Sequence, residues 1–336
     1  MSRVFVHGVG AVSPAGWGVA SLAAAIQKDV PYPAVPLAHP DSSRMLTVRR
    51  VPAPNPIPAF FSHPRLRRTS PITQFAAGAA LEAVSKSGLD NSRLGIVFSA
   101  FAGSVNYSKR FYAETLRDPA TASPLVFPET VLNAPSSHLS ALLCAGGRNY
   151  TLVGDQGEFL KALALGAEWL DRGIVDGCVV VAAEEVDWLT AGALDMFSPG
   201  ACAAEGAGSI YLSREPSTVE LVAVTEPQLY LQRRGRPAAI QGFQWPTAFQ
   251  PASDDVLCDG TTGDADVDEI ETARWRDWPG RLISTKQILG EGFAVAAAWQ
   301  AIAGIHELSE QKYRRAFIGV CGTNEQTLGA VFQRAS

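Results

Sequence analysis

The stretch NYTLVGDQGEFLKALALGAEWLDRG, residues 149–173, opens as a β-branched apolar run, breaks at Gly154-Asp155-Gln156-Gly157, and continues into Ala- and Leu-rich sequence that stops at Gly173. The run and its boundaries predict a strand over 149–154, a sharp turn, and a helix over 158–172. Many enzymes present a nucleophile at such a turn, because the free N–H groups and dipole of the helix N-terminus favour a negative charge there. This turn carries only Gln156, whose carboxamide cannot form an acyl-enzyme.

The same alternation extends in both directions. Segments 3–13, 94–103, 177–186 and 208–214 are short, apolar and bounded by glycine or polar residues, which predicts strands. A helix is predicted over 70–88, with Pro71 at its first position and Gly88 at its stop. After residue 217 the pattern resumes, with strands predicted over 218–230, 256–260, 281–286, 316–324 and 329–335. Apolar strands alternating with helices predict an α/β fold with a mostly parallel sheet covered on both faces. The repetition of the order suggests a degenerate duplication, with halves at 1–217 and a shortened 218–336 forming one compact unit. The proline-rich segment 28–66 and the stretch 233–246 are irregular excursions.

Nearly half of the 336 residues are apolar and only 18% are charged, which implies a large core or a sizeable subunit interface. A net charge of −5 with no long Lys/Arg block argues against a nucleic-acid partner. Cys144, Cys178, Cys202, Cys258 and Cys321 are scattered and mostly inside apolar runs, as expected of reduced core cysteines in a cytoplasmic protein. The N-terminal stretch lacks an export signal, and the apolar segment 292–305 is too short to span a bilayer, so no membrane association is expected.

In this order and spacing, VHGVGAVSPAGWGVASL (6–22), AAEGAGSIYLSRE (203–215) and GVCGTNEQTLGAVF (319–332) resemble the β-ketoacyl synthases, condensing enzymes of the thiolase-like fold. The resemblance covers almost the whole chain and implies a layered α-β-α-β-α architecture from two duplicated halves. It also implies a Cys nucleophile at the strand-to-helix turn and two histidines from the second half. Counting back from Gly173, the nucleophile position falls on Gln156. The loop VLCDGTTGDADVDE (256–269) resembles the one bearing the first histidine, here Asp259, or Cys258 if the register slips by one. In STKQILGEGFAVAAA (284–298), Lys286 matches the family lysine and Glu291 stands where the second histidine belongs. The gating phenylalanine becomes Val320, and Lys286 and Asn324 match positions that support the site. His7, His39, His63, His138 and His306 all fall elsewhere.

Within that family, the chain-length factors carry Gln in place of the nucleophile, and ASPLVFPETVLNAPSSHLSALL (122–143) looks like a region of that branch. The resemblance implies an inactive subunit that pairs with an active β-ketoacyl synthase, served by an acyl carrier protein, in polyketide, aryl polyene or fatty acid biosynthesis. The pairing strand would be 148–153, with Tyr150 and Leu152 at the interface. Two other readings stay open: a divergent thioester decarboxylase or hydrolase using Gln156, and a homodimeric acyl-carrier-binding scaffold. Decarboxylation is opposed by acidic groups at Asp259 and Glu291, which would meet developing negative charge unless burial keeps them protonated.

Several other motifs carry less. Cys258 and Cys202 have no identifiable base and read as small core residues. Asp264, Asp266, Asp268 and Glu269 lack the central glycine and terminal glutamate of a calcium loop, so neither metal nor cofactor is expected. Glycines 8, 10, 206, 208, 319 and 322 lack the ribose-binding acid of a dinucleotide fingerprint and read as tight strand-end turns. Arg65, Arg67, Arg68, Lys109 and Arg110 form a candidate basic patch for a carrier protein.

Overall fold

The computed structural model describes residues 3–40, 42–85, 91–229, 245, 248–262, 268–269, 271–272, 275–322 and 326–335. In chain order these form β1 (Val4–Ser13), β2 (Gly16–Trp17), α1 (Val19–Lys28), β3 (Val35–Ala38), β4 (Met45–Arg49), α2 (Pro71–Val84), β5 (Leu94–Ala100), α3 (Val105–Arg117), α4 (Ala134–Leu142), β6 (Asn149–Val153), α5 (Glu158–Asp171), β7 (Gly177–Glu184), α6 (Trp188–Phe197), β8 (Ala203–Ala204) and β9 (Gly206–Ser213). Then follow β10 (Val219–Val224), β11 (Gln228–Leu229), β12 (Asp255–Cys258), β13 (Arg281–Ile283), α7 (Thr285–Leu289), α8 (Ala294–Ser309), β14 (Arg315–Cys321) and β15 (Gln326–Arg334).

The main sheet runs β13-β12-β14-β15-β10-β1-β9-β7-β5-β6. Counting strands within each half, both halves have the order 3-2-4-5-1, and both have two parallel pairs followed by two antiparallel ones. The first strands of the halves join them, β1 running antiparallel to β10. The duplicated architecture expected from the sequence is therefore present. The expectation of a mostly parallel sheet is corrected: the sheet is mixed, because β9 and β15 each turn back against the strand before them. Strands covered on both faces are apolar in either direction, so composition could not reveal that reversal.

Helices α5 and α8 lie between the half-sheets, α5 against β5 and β7, α8 against β9, β12, β14 and α5. Phe159, Leu163, Val180, Trp299, Ile302 and Ile318 belong to one continuous buried cluster in this central layer. The outer faces are closed by α2 on one side and by Trp245, Trp275 and Phe317 on the other. Helix α2 starts at Ser70-Pro71 as the sequence predicts, and the small residues of its buried face let it approach β1 closely. A Cβ on Gly8 would stand 1.9 Å from the carbonyl oxygen of Ala83, and one on Gly10 would stand 2.0 Å from that of Ala79. These two glycines serve strand-to-helix contact in the middle of β1, not a strand-end turn.

Cys178, Cys258 and Cys321 are buried and all five cysteines are free thiols. Cys144 departs from expectation: it follows α4 at a φ of 51° and is exposed. Among the described residues no helix is long and apolar enough to cross a membrane.

Candidate functional site

The predicted positions converge on the carboxyl ends of the strands, where open α/β sheets collect their functional groups. Gln156 follows β6, Asp259 directly follows β12, and Val320 lies inside β14 and is fully buried. Gln156 and Asp155 are 2% and 3% exposed, so the turn before α5 is inside the protein. Asp155 Oδ1 accepts the Gly157 N–H at 3.2 Å, and Gly157 packs so closely on Leu328 that a Cβ would meet its Cδ1 at 2.7 Å. The turn thus presents a carboxamide at a helix N-terminus and no group able to attack a thioester.

Lys286 and Glu291 are brought together. Nζ of Lys286 lies 3.0 Å from Oε2 of Glu291, with side chains 1% and 2% exposed. The other oxygen, Oε1, accepts the backbone N–H of Phe293 at 2.7 Å. Main-chain bonds from Glu291 N–H to Cys202 O and from Ala204 N–H to Glu291 O, both 2.8 Å, dock the loop on β8. Phe293 has φ 50° and ψ −122°, a left-handed conformation costly for an aromatic residue. Its ring lies flat on that of Phe101, with centroids 4.7 Å apart and planes 8° from parallel.

Asp259 is held on a different side of the site. Its Oδ2 accepts the Ser284 hydroxyl at 3.0 Å and its Oδ1 accepts the Thr261 N–H at 3.1 Å. Burial, and secondly the charge of Glu271, push its carboxyl up to about 6, so it is mostly ionised near neutral pH. Gln300 ties this strand end to β14. Its Nε2 lies against three backbone carbonyls, those of Cys258 (3.3 Å), Asp259 and Gly319 (3.0 Å). Cys258 is fully buried with its thiol pushed well up by burial and then by Asp259, which removes it as a displaced nucleophile.

Two further acids belong to the site that the motifs did not single out. Glu271 is 1% exposed, and its Oε1 accepts the N–H of Gly260 and the indole N–H of Trp275, each at 2.9 Å. Glu184, the last residue of β7, is also 1% exposed, and among the described residues no basic group pairs with it. Burial first, then the charges of Glu185 and Glu291, push its carboxyl up to about 8 against two backbone N–H bonds. Its neighbour Glu185 occupies the N-termini of two helices, accepting from Ser70 Oγ, from Ile72 N–H at 3.1 Å and from Asn106 N–H at 2.8 Å. Burial raises the Glu185 carboxyl as well, but the helix dipoles at both termini favour its ionised form. The signal for this pair was in the sequence: two adjacent acids end an otherwise apolar buried strand.

The other expectations fall as follows. Tyr150 and Leu152 are on β6, the edge of the sheet and away from the ion pair. Tyr150 is half exposed against Trp169, whereas Leu152 is partly buried on the core. In the candidate basic patch, Lys109 is paired with Asp187 at 2.8 Å and Arg110 with Glu114 at 2.9 Å, which leaves less net charge than the sequence suggested. Asp268 accepts the Thr262 N–H at 2.6 Å. Asp264, Asp266 and Asn324 lie outside the described residues.

No family model matches the chain, and no curated protein matches it. Solved structures do match over essentially the whole length. A β-ketoacyl synthase from Burkholderia phymatum superposes with a TM-score of 0.80 at 14% identity, covering 100% of both chains. A ketosynthase in complex with its chain length factor from Xenorhabdus doucetiae gives 0.78 at 15% identity, covering 99% of this chain and 98% of that one. A type II polyketide acyl-carrier protein in complex with its ketosynthase gives 0.77 at 18% identity, covering 99% of each. The repeated 3-2-4-5-1 half-sheets and these superpositions together give the chain the thiolase-like fold of the ketosynthases and chain-length factors.

Proposed function

We propose that this chain is a non-catalytic ketosynthase-like subunit, acting as a chain-length factor beside an active β-ketoacyl synthase that is served by an acyl carrier protein. One observation carries the reading: the residue at the second histidine position, Glu291, is consumed in a fully buried ion pair with Lys286. A carboxylate bound to an ammonium and to the Phe293 N–H has no free donor for an oxyanion. The ionised Asp259 would in addition repel the enolate left by loss of carbon dioxide, which disfavours a decarboxylase.

The surface supports a partner. Among the described residues strand β6 ends the sheet with one side unpaired, and exposed apolar side chains lie on it at Tyr150 and Val153, after its neighbour β5 at Phe101, and in the segment before α4 at Val131 and Leu132. An exposed edge with an apolar flank is what an obligate partner covers. The test is native mass spectrometry of the complex isolated from the chain's own host. A one-to-one pair with a condensing enzyme that carries Cys and two His supports the reading. A pure homodimer, or an acyl-enzyme on the isolated chain, overturns it.

A further inference from the structure

A groove of about 770 Å³ runs along the open edge of the sheet, between α4, β6 and the turn that carries Arg65. Its floor is already knitted together. Asn149 Nδ2 donates to Ser136 O at 2.9 Å, the hydroxyls of Ser136 and Thr151 share a bond at 3.0 Å, and Ser140 Oγ donates to Ala145 O at 3.2 Å. The main chain of the edge is half spent. Ile96 N–H bonds to Arg148 O at 2.8 Å and Gly154 N–H to Ala100 O at 3.1 Å. By the alternation of a parallel ladder, the N–H and C=O groups of Asn149, Thr151 and Val153 therefore face away from β5, towards the open side.

The charge on this edge has one sign. Arg65 is the charged residue among those lining the groove; it is exposed, and its guanidinium has no partner among the described residues. Arg148, at the entrance to β6, is exposed and makes no ion pair among the described residues either. No Asp or Glu occurs from 42 to 81 or from 130 to 154, the two segments that build the groove and its rim. The acids that flank the second segment are committed elsewhere: Glu129 to His138 at 2.9 Å, and Asp155, 3% exposed, to the turn before α5. An occupant of this edge must bring the acid itself. A second copy of this chain cannot, because an isologous contact sets the same patch on both sides, cations without a carboxylate. A like-folded subunit of different sequence can.

We propose that the groove is a socket for a carboxylate of the partner synthase, with Arg65 as its cation, and that this charge selects the synthase over a second copy of this chain. The socket rests on the proposed function and adds the chemistry by which the partner is chosen. A strand laid along β6 would bond to the free main-chain groups of Asn149, Thr151 and Val153 and cover Arg65. A guanidinium that loses its water there needs a carboxylate opposite it, and its planar fork can hold both oxygens at once.

The test takes the synthase isolated with this chain from its own host and measures its dissociation constant for the protein, Arg65→Lys, Arg65→Met and Arg65→Glu. Arg65 is exposed, so the variants should keep the circular dichroism and melting temperature of the protein. Arg65→Met, which retains the apolar stem, should weaken pairing about tenfold, and Arg65→Glu about a hundredfold, with Arg65→Lys between the protein and Arg65→Met. The isolated chain should stay monomeric at concentrations where the pair is complete. Variants that all pair within about threefold of the protein overturn the socket. Equal weakening by Arg65→Met and Arg65→Glu overturns it as well, since a contact indifferent to the sign of the charge is not an ion pair. Unchanged pairing, with loss of acyl carrier protein binding to the assembled pair, would give Arg65 to the carrier instead and overturn the socket. A second copy that binds as tightly as the synthase overturns the selection. Failure of any synthase to co-isolate refutes the proposed function and the socket with it, whereas a synthase that pairs regardless of Arg65 refutes the socket alone.

Discussion

Substituting Glu291 by Gln keeps the volume and the acceptor for the Phe293 N–H, and replaces the charged acceptor opposite Lys286 by an amide NH2. At 3.0 Å and an effective dielectric constant of about 20, the lost attraction is ~5 kcal/mol before any relaxation. The ammonium left behind is fully buried, so water cannot replace the carboxylate without opening the site. Removing one member of such a pair costs ~3–5 kcal/mol, a large part of the ~5–15 kcal/mol that holds a typical domain folded. With an unfolding entropy of ~2.1 cal/mol/K per residue over 336 residues, the shift in melting temperature is ~4–7 °C. Urea unfolding of the protein, Glu291→Gln, Lys286→Met and the double variant measures it as a thermodynamic cycle. The double variant should recover most of the loss, because it leaves no buried charge uncompensated. A cost below ~1 kcal/mol for Glu291→Gln, or a double variant that costs the sum of the singles, would show that the pair is not what fixes this loop. Glu291→His, which reinstates the family residue, should destabilise for the same reason and should not create condensing activity, since Gln156 still supplies no nucleophile.

Glu184→Gln loses one of the two main-chain N–H bonds and should flatten the pH dependence of stability. The folded carboxyl is raised from 4.5 to about 8, so the folded state keeps a proton that the unfolded chain loses, and stability falls as pH rises through that window. The variant escapes this loss, so its stability relative to the protein should rise by up to ~5 kcal/mol between about pH 4.5 and 8; the same difference in urea unfolding at both ends would refute the assignment. Gln300→Leu removes the buried side-chain donor shared by the carbonyls of Cys258, Asp259 and Gly319 and should cost ~3 kcal/mol in the same assay. A cost under ~1 kcal/mol would mean that those carbonyls find other donors. At the edge strand, Leu152→Asp should give insoluble protein, partly because Leu152 packs on the core. Val153→Asp, at a side chain 50% exposed, is the cleaner probe: it should leave the isolated chain folded by circular dichroism and abolish pairing. A Val153→Asp chain that still pairs would place the interface elsewhere.

What the sequence disclosed was local. The strand, turn and helix of 149–173 were legible because period and boundary residues act within a dozen positions, and Lys286 with Glu291 could be read as one loop because five residues separate them. The direction of β9 and β15 was not legible, because both are apolar on each face whichever way they run. The distant contacts stayed hidden as well: Glu184 with Phe101, Gln300 with Gly319, and Ser284 with Asp259 each join segments that only the assembled fold brings together. Those contacts decide how the site is read. Listed as letters, Gln156, Asp259 and Glu291 are three losses from a catalytic set. In the fold, Glu291 holds Lys286 and Phe293, and Asp259 holds Ser284 and Thr261, so two of the three replacements bond the loops together at the place where substrate chemistry would need free groups. Lys286 follows from the same logic, since without it Glu291 would be a bare charge in the core. The acids left over are Glu184 and Glu271, both buried, each facing like charge, and neither in an ion pair among the described residues.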